Sequence, residues 1–124
     1  MRTKLLIALT VLMIIVMAAC SPASGSSKSK FPTGRFVSTA DANLEYEYRD
    51  DNTWSYYMGG LMAAKGDYKI DKNLWIEQGT KECPFPGMYE WSFDGKNLSF
   101  KLQGEDACKP RREATDGQTF TLEK

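Results

Sequence analysis

Carboxylates are the first side chains to consider for catalysis, because the 124-residue chain contains no His, the commonest general base. Two of the carboxylates Asp50, Asp51, Glu105 and Asp106 could pair as the acid and base of a glycosidase. All four residues fall in predicted turns, where acidic residues ordinarily cap the backbone or face water. No nucleophile elbow, Ser-x-x-Lys motif or phosphate-binding glycine loop accompanies them. We therefore expect a protein that is not an enzyme.

Metal and cofactor sites are equally poorly supported. The run Asp50-Asp51-Asn52 lacks the alternate-position ligands and the distal Glu of a calcium loop. Zinc sites are built from Cys and His ligands, and the chain has three Cys and no His. We expect no metal and no cofactor.

Aromatic residues are the most distinctive part of the composition, and all of the three Trp, six Tyr and six Phe follow position 30. Pockets for small apolar or planar ligands use apolar walls with a few hydroxyl and indole donors. Candidate ligand-binding residues on this interpretation are Tyr46, Tyr48, Trp54, Tyr56, Tyr68, Tyr89, Trp91 and Phe93. The simpler interpretation, which we favour, is that these rings fill the interior of a small β domain.

The elements that would position these rings are strands, because apolar and polar residues alternate from Gly34 onward. Residues predicted to share faces are Leu44, Tyr46 and Tyr48; Trp54, Tyr56 and Met58; Tyr68 and Ile70; Leu74 and Ile76; Tyr89, Trp91 and Phe93; Leu98, Phe100 and Leu102; Phe120 and Leu122. Asp, Asn and Gly separate the runs as turn formers. No segment after Cys20 has a helical period, so the pattern predicts about eight short strands and no helix.

Three related units begin at Gly34, Gly66 and Gly87, and each contains Gly-x-aromatic followed by Asn-Leu. Each unit predicts a β-hairpin, with further strands between and after the hairpins. A meander of about eight antiparallel strands hides its edges best by closing into a barrel. We predict an all-β fold, an antiparallel meander closing into a small barrel over residues 33–124.

Two connecting segments have a composition of their own. Residues 57–64 are apolar, contain two Gly, and break the alternation. They could form a loop over the barrel mouth, or, as we favour, a hairpin whose apolar residues pack on the barrel. Residues 83–87, CPFPG, form a stiff connection with a structural role.

The N-terminus has the three parts of a secretory signal peptide, with Arg2 and Lys4 before an apolar run and small residues at its end. A membrane span needs about 20 apolar residues, and this run is shorter and leads into a Ser/Gly/Pro stretch. Residues 1–19 are therefore predicted to be a signal peptide rather than a transmembrane helix.

The segment Val16-Met17-Ala18-Ala19-Cys20 resembles the lipobox of bacterial lipoproteins, with Met17 where that family prefers Leu. The resemblance implies cleavage before Cys20 and acylation of this residue. Residues 20–32 would form a flexible Ser/Gly/Lys tether. We expect an exported protein anchored in a membrane through its lipid. That membrane is the outer membrane in a Gram-negative host and otherwise the outer face of the cytoplasmic membrane.

Cys83 and Cys108 remain once Cys20 carries lipid, and two such Cys in an exported protein ordinarily pair. A bridge would stabilise the fold by about 3 to 3.5 kcal/mol through loop-closure entropy. Without residues 1–19 the chain has two more acidic than basic residues. Nucleic-acid binding favours a basic surface, so we expect no nucleic-acid partner.

The motif Gly34-Arg35-Phe36 resembles the Gly-x-Trp of lipocalin-like (calycin) barrels, with Phe in place of Trp. Residues 87–91, 98–100 and 106–108, followed by Arg111 and Arg112, resemble small bacterial lipocalin-like lipoproteins over roughly 34–124. The resemblance implies barrel closure by an Arg packed over the first-strand aromatic residue. Here this would be Arg111 or Arg112 over Phe36.

These observations lead to two functional hypotheses for a monomeric protein. The first is a membrane-anchored, non-enzymatic barrel that binds a small apolar ligand or a lipid at the cell envelope. The alternative is a surface module that binds an envelope protein. One version is a lysozyme inhibitor, since residues 63–68 are weakly similar to the inhibitory loop of such lipoproteins.

Overall fold

The computed structural model describes residues 30–124, so the predicted signal peptide and the lipidation site at Cys20 lie outside the described residues. Eight strands and one helix follow in order. They are β1 (Gly34–Ser38), β2 (Leu44–Tyr48), β3 (Thr53–Met58), β4 (Leu61–Asp71), β5 (Leu74–Glu77), β6 (Gly87–Phe93), β7 (Asn97–Leu102), α1 (Lys109–Thr115) and β8 (Thr119–Leu122).

The strands form an antiparallel meander that closes into a barrel, as predicted. Each strand pairs with the next, and β8 returns to pair with β1, where Leu122 lies opposite Phe36. The three repeat units are the hairpins β1–β2, β4–β5 and β6–β7. Each strand is paired on both sides and the core cluster extends from Phe31 to Phe120, so residues 30–124 form a complete folding unit.

Aromatic rings fill most of the barrel, which confirms the simpler interpretation for most of the interior. The alternation places one face of each strand inward, and the rings of Phe36, Trp75 and Tyr89 are almost fully buried. Neighbouring rings meet edge to face or tilted, as for Trp75 and Phe100 with centroids 5.5 Å apart.

On β5, Leu74 and Ile76 share a face as predicted, and that face is the outer one. Trp75 and Glu77 face inward and are buried, whereas Leu74 and Ile76 are only partly buried. Three of the four residues in this strand are apolar, so alternation could not identify its inner face. The buried carboxylate of Glu77 is accommodated because a cation from α1 pairs with it.

The two ends of the barrel differ. At the plugged end, where β1 begins, the ring of Phe31 lies 5.1 Å from the rings of Tyr48 and Trp91. Phe31 is only 5% exposed, so the domain begins before the predicted boundary at residue 33. A single apolar residue outside any alternating run carries no pattern that could have shown this.

The opposite end, which we call the capped end, is crossed by α1, the connection from the end of β7 to the start of β8. The prediction of no helix was therefore wrong. α1 has seven residues, contains Pro110 in its first turn, and buries Arg111 and Thr115. Because its buried face is polar, it has no apolar period of 3.6 that could have revealed it. Among residues 30–124, no helix is long and apolar enough to cross a membrane.

Candidate functional site

A cavity of about 270 Å³ lies at the capped end. On one side β2, β3 and β4 contribute its wall, and on the other side α1 and the β5–β6 connection do. Its lining residues are Tyr46, Trp54, Tyr56, Met58, Ala63, Ala64, Glu77, Thr80, Glu82, Cys83, Pro110, Arg111 and Ala114. The small side chains of Ala64 and Ala114 leave this space where the rest of the barrel is filled by rings.

Three aromatic residues form one side of the cavity. Tyr46 lies opposite Tyr56 in the β2–β3 ladder, with ring centroids 4.7 Å apart, and the centroid of Trp54 lies 5.9 Å from that of Tyr46. The Tyr46 hydroxyl and the Thr115 hydroxyl of α1 are hydrogen-bonded at 3.2 Å. Trp54 covers Gly66, its partner on β4, where a Cβ atom would lie 3.1 Å from the indole Nε1.

Only some of the predicted ligand-binding residues meet at this cavity. Tyr46, Trp54 and Tyr56 line it, while Tyr48, Tyr89 and Trp91 are part of the filled core. Tyr68 lies against Phe31 at the plugged end, and Phe93 packs against Phe36. Sequence reasoning missed Glu77, Thr80, Glu82 and Ala114. Because alternation could not identify the inner face of β5, no signal in the sequence marked Glu77.

A buried ionic cluster lies beside the cavity. The Arg111 guanidinium donates to both carboxylate oxygens of Asp106, from Nε at 2.7 Å and from Nη2 at 2.6 Å. Its Nη1 contacts Glu77, and the Tyr89 hydroxyl donates to Asp106. Gly87 leaves room for this arrangement, because a Cβ atom there would lie 2.5 Å from the Arg111 Nε.

Burial and hydrogen bonding shift the pKa values of Glu77 and Asp106 in opposite directions. Burial raises the pKa of Glu77 above its ordinary value, against the opposing effect of Arg111. Burial also favours a raised pKa for Asp106, but hydrogen bonds from Arg111, Tyr89 and the Cys108 amide outweigh it. The pKa of Asp106 is therefore lowered.

The predicted contact between an Arg and Phe36 was wrong. Arg111 is on α1 at the capped end, whereas Gly34 begins β1 at the plugged end, and the rings around Phe36 are those of Tyr48 and Phe93. Arg112 Nη1 donates to the Asp106 carbonyl oxygen at 2.7 Å. Both Arg residues belong to α1, which leads into the last strand, β8.

Cys83 and Cys108 lie at disulfide distance, with Cα atoms 5.5 Å apart, as predicted. The pair joins the β5–β6 connection to the start of α1. Because Cys83 also lines the cavity, the bridge holds together two of its walls.

The acidic residues considered for catalysis are not brought together. Asp50 and Asp51 lie in the β2–β3 turn at the plugged end, and Asp51 accepts hydrogen bonds from the backbone and hydroxyl of Thr53. Asp106 is buried in its ion pair at the capped end, and its neighbour Glu105 is exposed. Within residues 30–124, no group of three or more His, Cys, Asp or Glu side chains is placed to hold a metal ion.

A second, larger concavity of about 720 Å³ runs along the outer surface beside β3 and β4 and is an open groove. Polar and charged residues such as Arg49, Lys65 and Lys81 line much of it. The cavity at the capped end is smaller but has the apolar walls that ligand sites require.

Comparison with known proteins identified no relative of this chain. No protein family, curated protein or solved structure matches it.

Proposed function

We propose that this protein is an exported, lipid-anchored and non-enzymatic barrel that binds a small apolar ligand in the cavity at its capped end. The observation that carries the proposal is the cavity of about 270 Å³ walled by Tyr46, Trp54 and Tyr56 in an otherwise filled barrel. Apolar walls with a few polar groups are typical of small-molecule sites, which commonly occupy the mouths of β-barrels.

The size of the cavity limits the ligand. Small-molecule sites generally enclose about 300–1,000 Å³, so this cavity suits a ligand of one or two rings. A lipid with long acyl chains would extend beyond it, along the exposed residues Met58 and Leu61 of the β3–β4 hairpin.

The beginning of the described chain and the cavity are at opposite ends of the barrel. Phe31 and Lys30 lie at the plugged end, and the chain leads back from there to Cys20. A lipid on Cys20 would tether the plugged end to the membrane, and the capped end could then point away from the membrane surface.

Native mass spectrometry of residues 30–124, secreted by the source cell and purified gently, tests the ligand proposal. We expect a bound mass that survives mild conditions and leaves on collisional activation. Ala114→Trp places a large ring in the cavity and should abolish it. Ala107→Trp is the matched control, since Ala107 is exposed and does not line the cavity. If no bound mass is seen and naphthalene shows no binding by ligand-observed NMR, the proposal fails.

Metabolic labelling of the full chain with tritiated palmitate tests the anchor. We expect label on the wild type and none on Cys20→Ser, with the wild type in the membrane fraction. Label that persists in Cys20→Ser would contradict the lipid anchor without bearing on the cavity.

A second candidate function is supported by the tip of the β3–β4 hairpin. Its residues Met58, Leu61 and Met62 are exposed, Leu61 at 76%, and exposed apolar groups of this kind often mark protein-binding surfaces. Residues 63–68 lie within β4, paired with β3, so they form a strand and not a loop. A lysozyme assay with excess barrel domain tests the inhibitor version, and unchanged turnover would exclude it.

A further inference from the structure

The charged groups that line the cavity indicate which ligand it would favour. Three charged residues line it, Glu77, Glu82 and Arg111. An apolar cavity with no charge would select only for size and shape. Here the balance between the two carboxylates and the one guanidinium decides the sign of the field inside.

Arg111 has little positive charge to offer a ligand. Its Nε and Nη2 form a two-pronged ion pair with Asp106, at 2.7 and 2.6 Å. The guanidinium is buried between Asp106 and Glu77, two carboxylates against one cation. The cluster is therefore left with one net negative charge when all three groups are ionised, and Glu77 is its member beside Arg111 on the cavity wall.

The other nearby cations do not reverse this sign. Arg112 does not line the cavity and donates to the Asp106 carbonyl oxygen, and Lys109 pairs with Glu113 on the exposed side of α1. Lys81 does not line the cavity; it lies on the adjoining outer groove, which also includes Glu82. At the rim, the exposed carboxylate of Glu82 adds a second negative charge.

The aromatic wall favours the same kind of ligand. Tyr and Trp rings attract a cation placed over their faces within about 6 Å, and clusters of them are the usual recognition device for alkylated ammonium groups. Tyr46, Trp54 and Tyr56 form such a cluster, with Glu77 and Glu82 on the same cavity. Three rings and two carboxylates around one small space are a poor site for an anion.

We infer that the ligand of this cavity is a small organic cation, an amine or alkylated ammonium group on an apolar body of one ring. The inference rests on the proposed ligand-binding function and specifies the chemistry of the same site. Apolar contacts would hold the ring. The three aromatic side chains and the exposed carboxylate of Glu82 would contact the charged group. Glu77 is fully buried and bonded to Arg111 and the Gly79 amide, so it would add only its negative field from behind the cavity wall.

Three probes of similar shape and different charge test this inference on residues 30–124. They are benzyltrimethylammonium, neopentylbenzene as its neutral counterpart, and benzylsulfonate as an anion. Ligand-observed NMR titration gives each affinity. We expect the cation to bind about tenfold more tightly than the neutral probe. A tenfold ratio corresponds to about 1.4 kcal/mol, which lies within the range of a partly desolvated cation–π contact. The anion should bind least well.

The outcomes separate this inference from the function on which it rests. If the neutral probe or the anion binds as tightly as the cation, and Ala114→Trp abolishes that binding, the cavity is a ligand site but the inference is wrong. If none of the probes binds, the inference is wrong, and the proposed function fails with it when naphthalene and the native mass spectrum also show no ligand.

Variants at the cavity provide a second readout. Tyr56→Leu keeps apolar bulk but removes a ring, and Glu82→Gln removes the exposed rim charge. Each should weaken binding of the cation more than binding of neopentylbenzene, and the cation should lose up to about fivefold in affinity with the exposed carboxylate. Glu123→Gln, an exposed acid that does not line the cavity, is the control. Near-ultraviolet circular dichroism checks that each variant is folded. A cation-to-neutral affinity ratio unchanged in both cavity variants would overturn the inference.

Discussion

Two residues at the capped end resemble catalytic groups but have a structural role. Asp106 and Glu77 are buried carboxylates beside a cavity, a setting in which catalytic groups are often found. Here each is held by Arg111, and Asp106 also accepts from Tyr89 and from the Cys108 amide. These contacts connect α1 to the barrel wall, so the role of the cluster is to hold α1 in place across the capped end.

The Asp106 ion pair predicts a specific pH dependence. Asp106→Asn should lower the free energy of unfolding by about 1–3 kcal/mol at pH 7, because charged hydrogen bonds to Arg111 are lost. Since the pKa of Asp106 is lowered in the folded state, its contribution is complete above the ordinary pKa of 3.8 and is lost as the pH falls through the folded value. Urea unfolding at pH 7 and pH 3 should therefore show a smaller difference at pH 3. Asp67→Asn, exposed on β4, should match the wild type at both pH values.

Gly87 is a second residue at which a substitution should lower the free energy of unfolding. In Gly87→Ala the new Cβ would lie 2.5 Å from the Arg111 Nε and 2.8 Å from an Asp106 oxygen, and ion pairs prevent Arg111 from moving aside. We expect a loss of about 1–3 kcal/mol, as for other overpacked sites. Ser92→Ala, exposed on the same strand, is the control for thermal unfolding. Equal melting temperatures for the two variants would contradict this close packing.

At the scale of elements, α1 is too short to be stable alone, since isolated helices shorter than about 12–15 residues are marginal. Tertiary contacts hold it in place. The disulfide fixes its start, Arg111 fixes its middle, and the Thr115 hydroxyl bonds to Tyr46 near its end. The β3–β4 hairpin differs, because its residues Gly59 and Gly60 both have positive φ, as a tight two-residue turn requires.

The cysteine pair should stabilise the barrel through the 25-residue separation that it closes. Replacing both cysteines in Cys83→Ala/Cys108→Ala should lower the free energy of unfolding by about 3 kcal/mol on the chain-entropy argument. Chemical denaturation of the double variant and the wild type measures this loss. Mass analysis under non-reducing conditions checks the bridge itself, and free thiols at both positions would contradict it.

The exposed hairpin tip should contribute little to stability. Leu61→Lys should change the free energy of unfolding by less than about 0.5 kcal/mol, because an exposed side chain away from special contacts has few interactions to lose. Leu98→Ala, a fully buried site on β7, should cost about 2–5 kcal/mol. A large loss in Leu61→Lys would mean that the tip packs on the barrel, as the sequence had suggested.

At the scale of the whole molecule, the barrel has one filled end and one partly hollow end. Phe31 completes the aromatic packing at the plugged end, and α1 crosses the capped end without filling it. The division separates the part that carries stability from the part that could bind a ligand. It also places the beginning of the domain far from the cavity.

Removal of the plug should destabilise the whole barrel. Phe31→Ala should cost about 3–5 kcal/mol, the usual range for a buried Phe, because the ring contacts Tyr48, Tyr68 and Trp91. Pro32→Ala, at the neighbouring partly buried position, is the comparison. Thermal unfolding of residues 30–124 measures both, and a change in Phe31→Ala no larger than in Pro32→Ala would mean that residue 31 belongs to the tether.

The sequence alone determined the strands, the three hairpins, barrel closure and the pairing of Cys83 with Cys108. Alternation is a local property, since adjacent side chains of a strand point to opposite faces, and closure follows because a meander must hide its edges. Predicting the cysteine pairing needed only the number of cysteines and the export that the N-terminal sequence predicts.

Tertiary structure alone decided where the cavity lies and which residues reach it. Tyr46 and Tyr48 belong to one face of one strand, yet the first lines the cavity and the second is buried in the core. What separates them is the packing of distant elements, Phe31 at one end and α1 at the other. The position of Arg111 between Glu77 and Asp106 has the same origin. Glu77 is 34 positions from Arg111 in the chain and Asp106 is 5 positions from it, and only the fold brings all three together. The local sequence pattern cannot predict contacts that depend on how distant elements pack together.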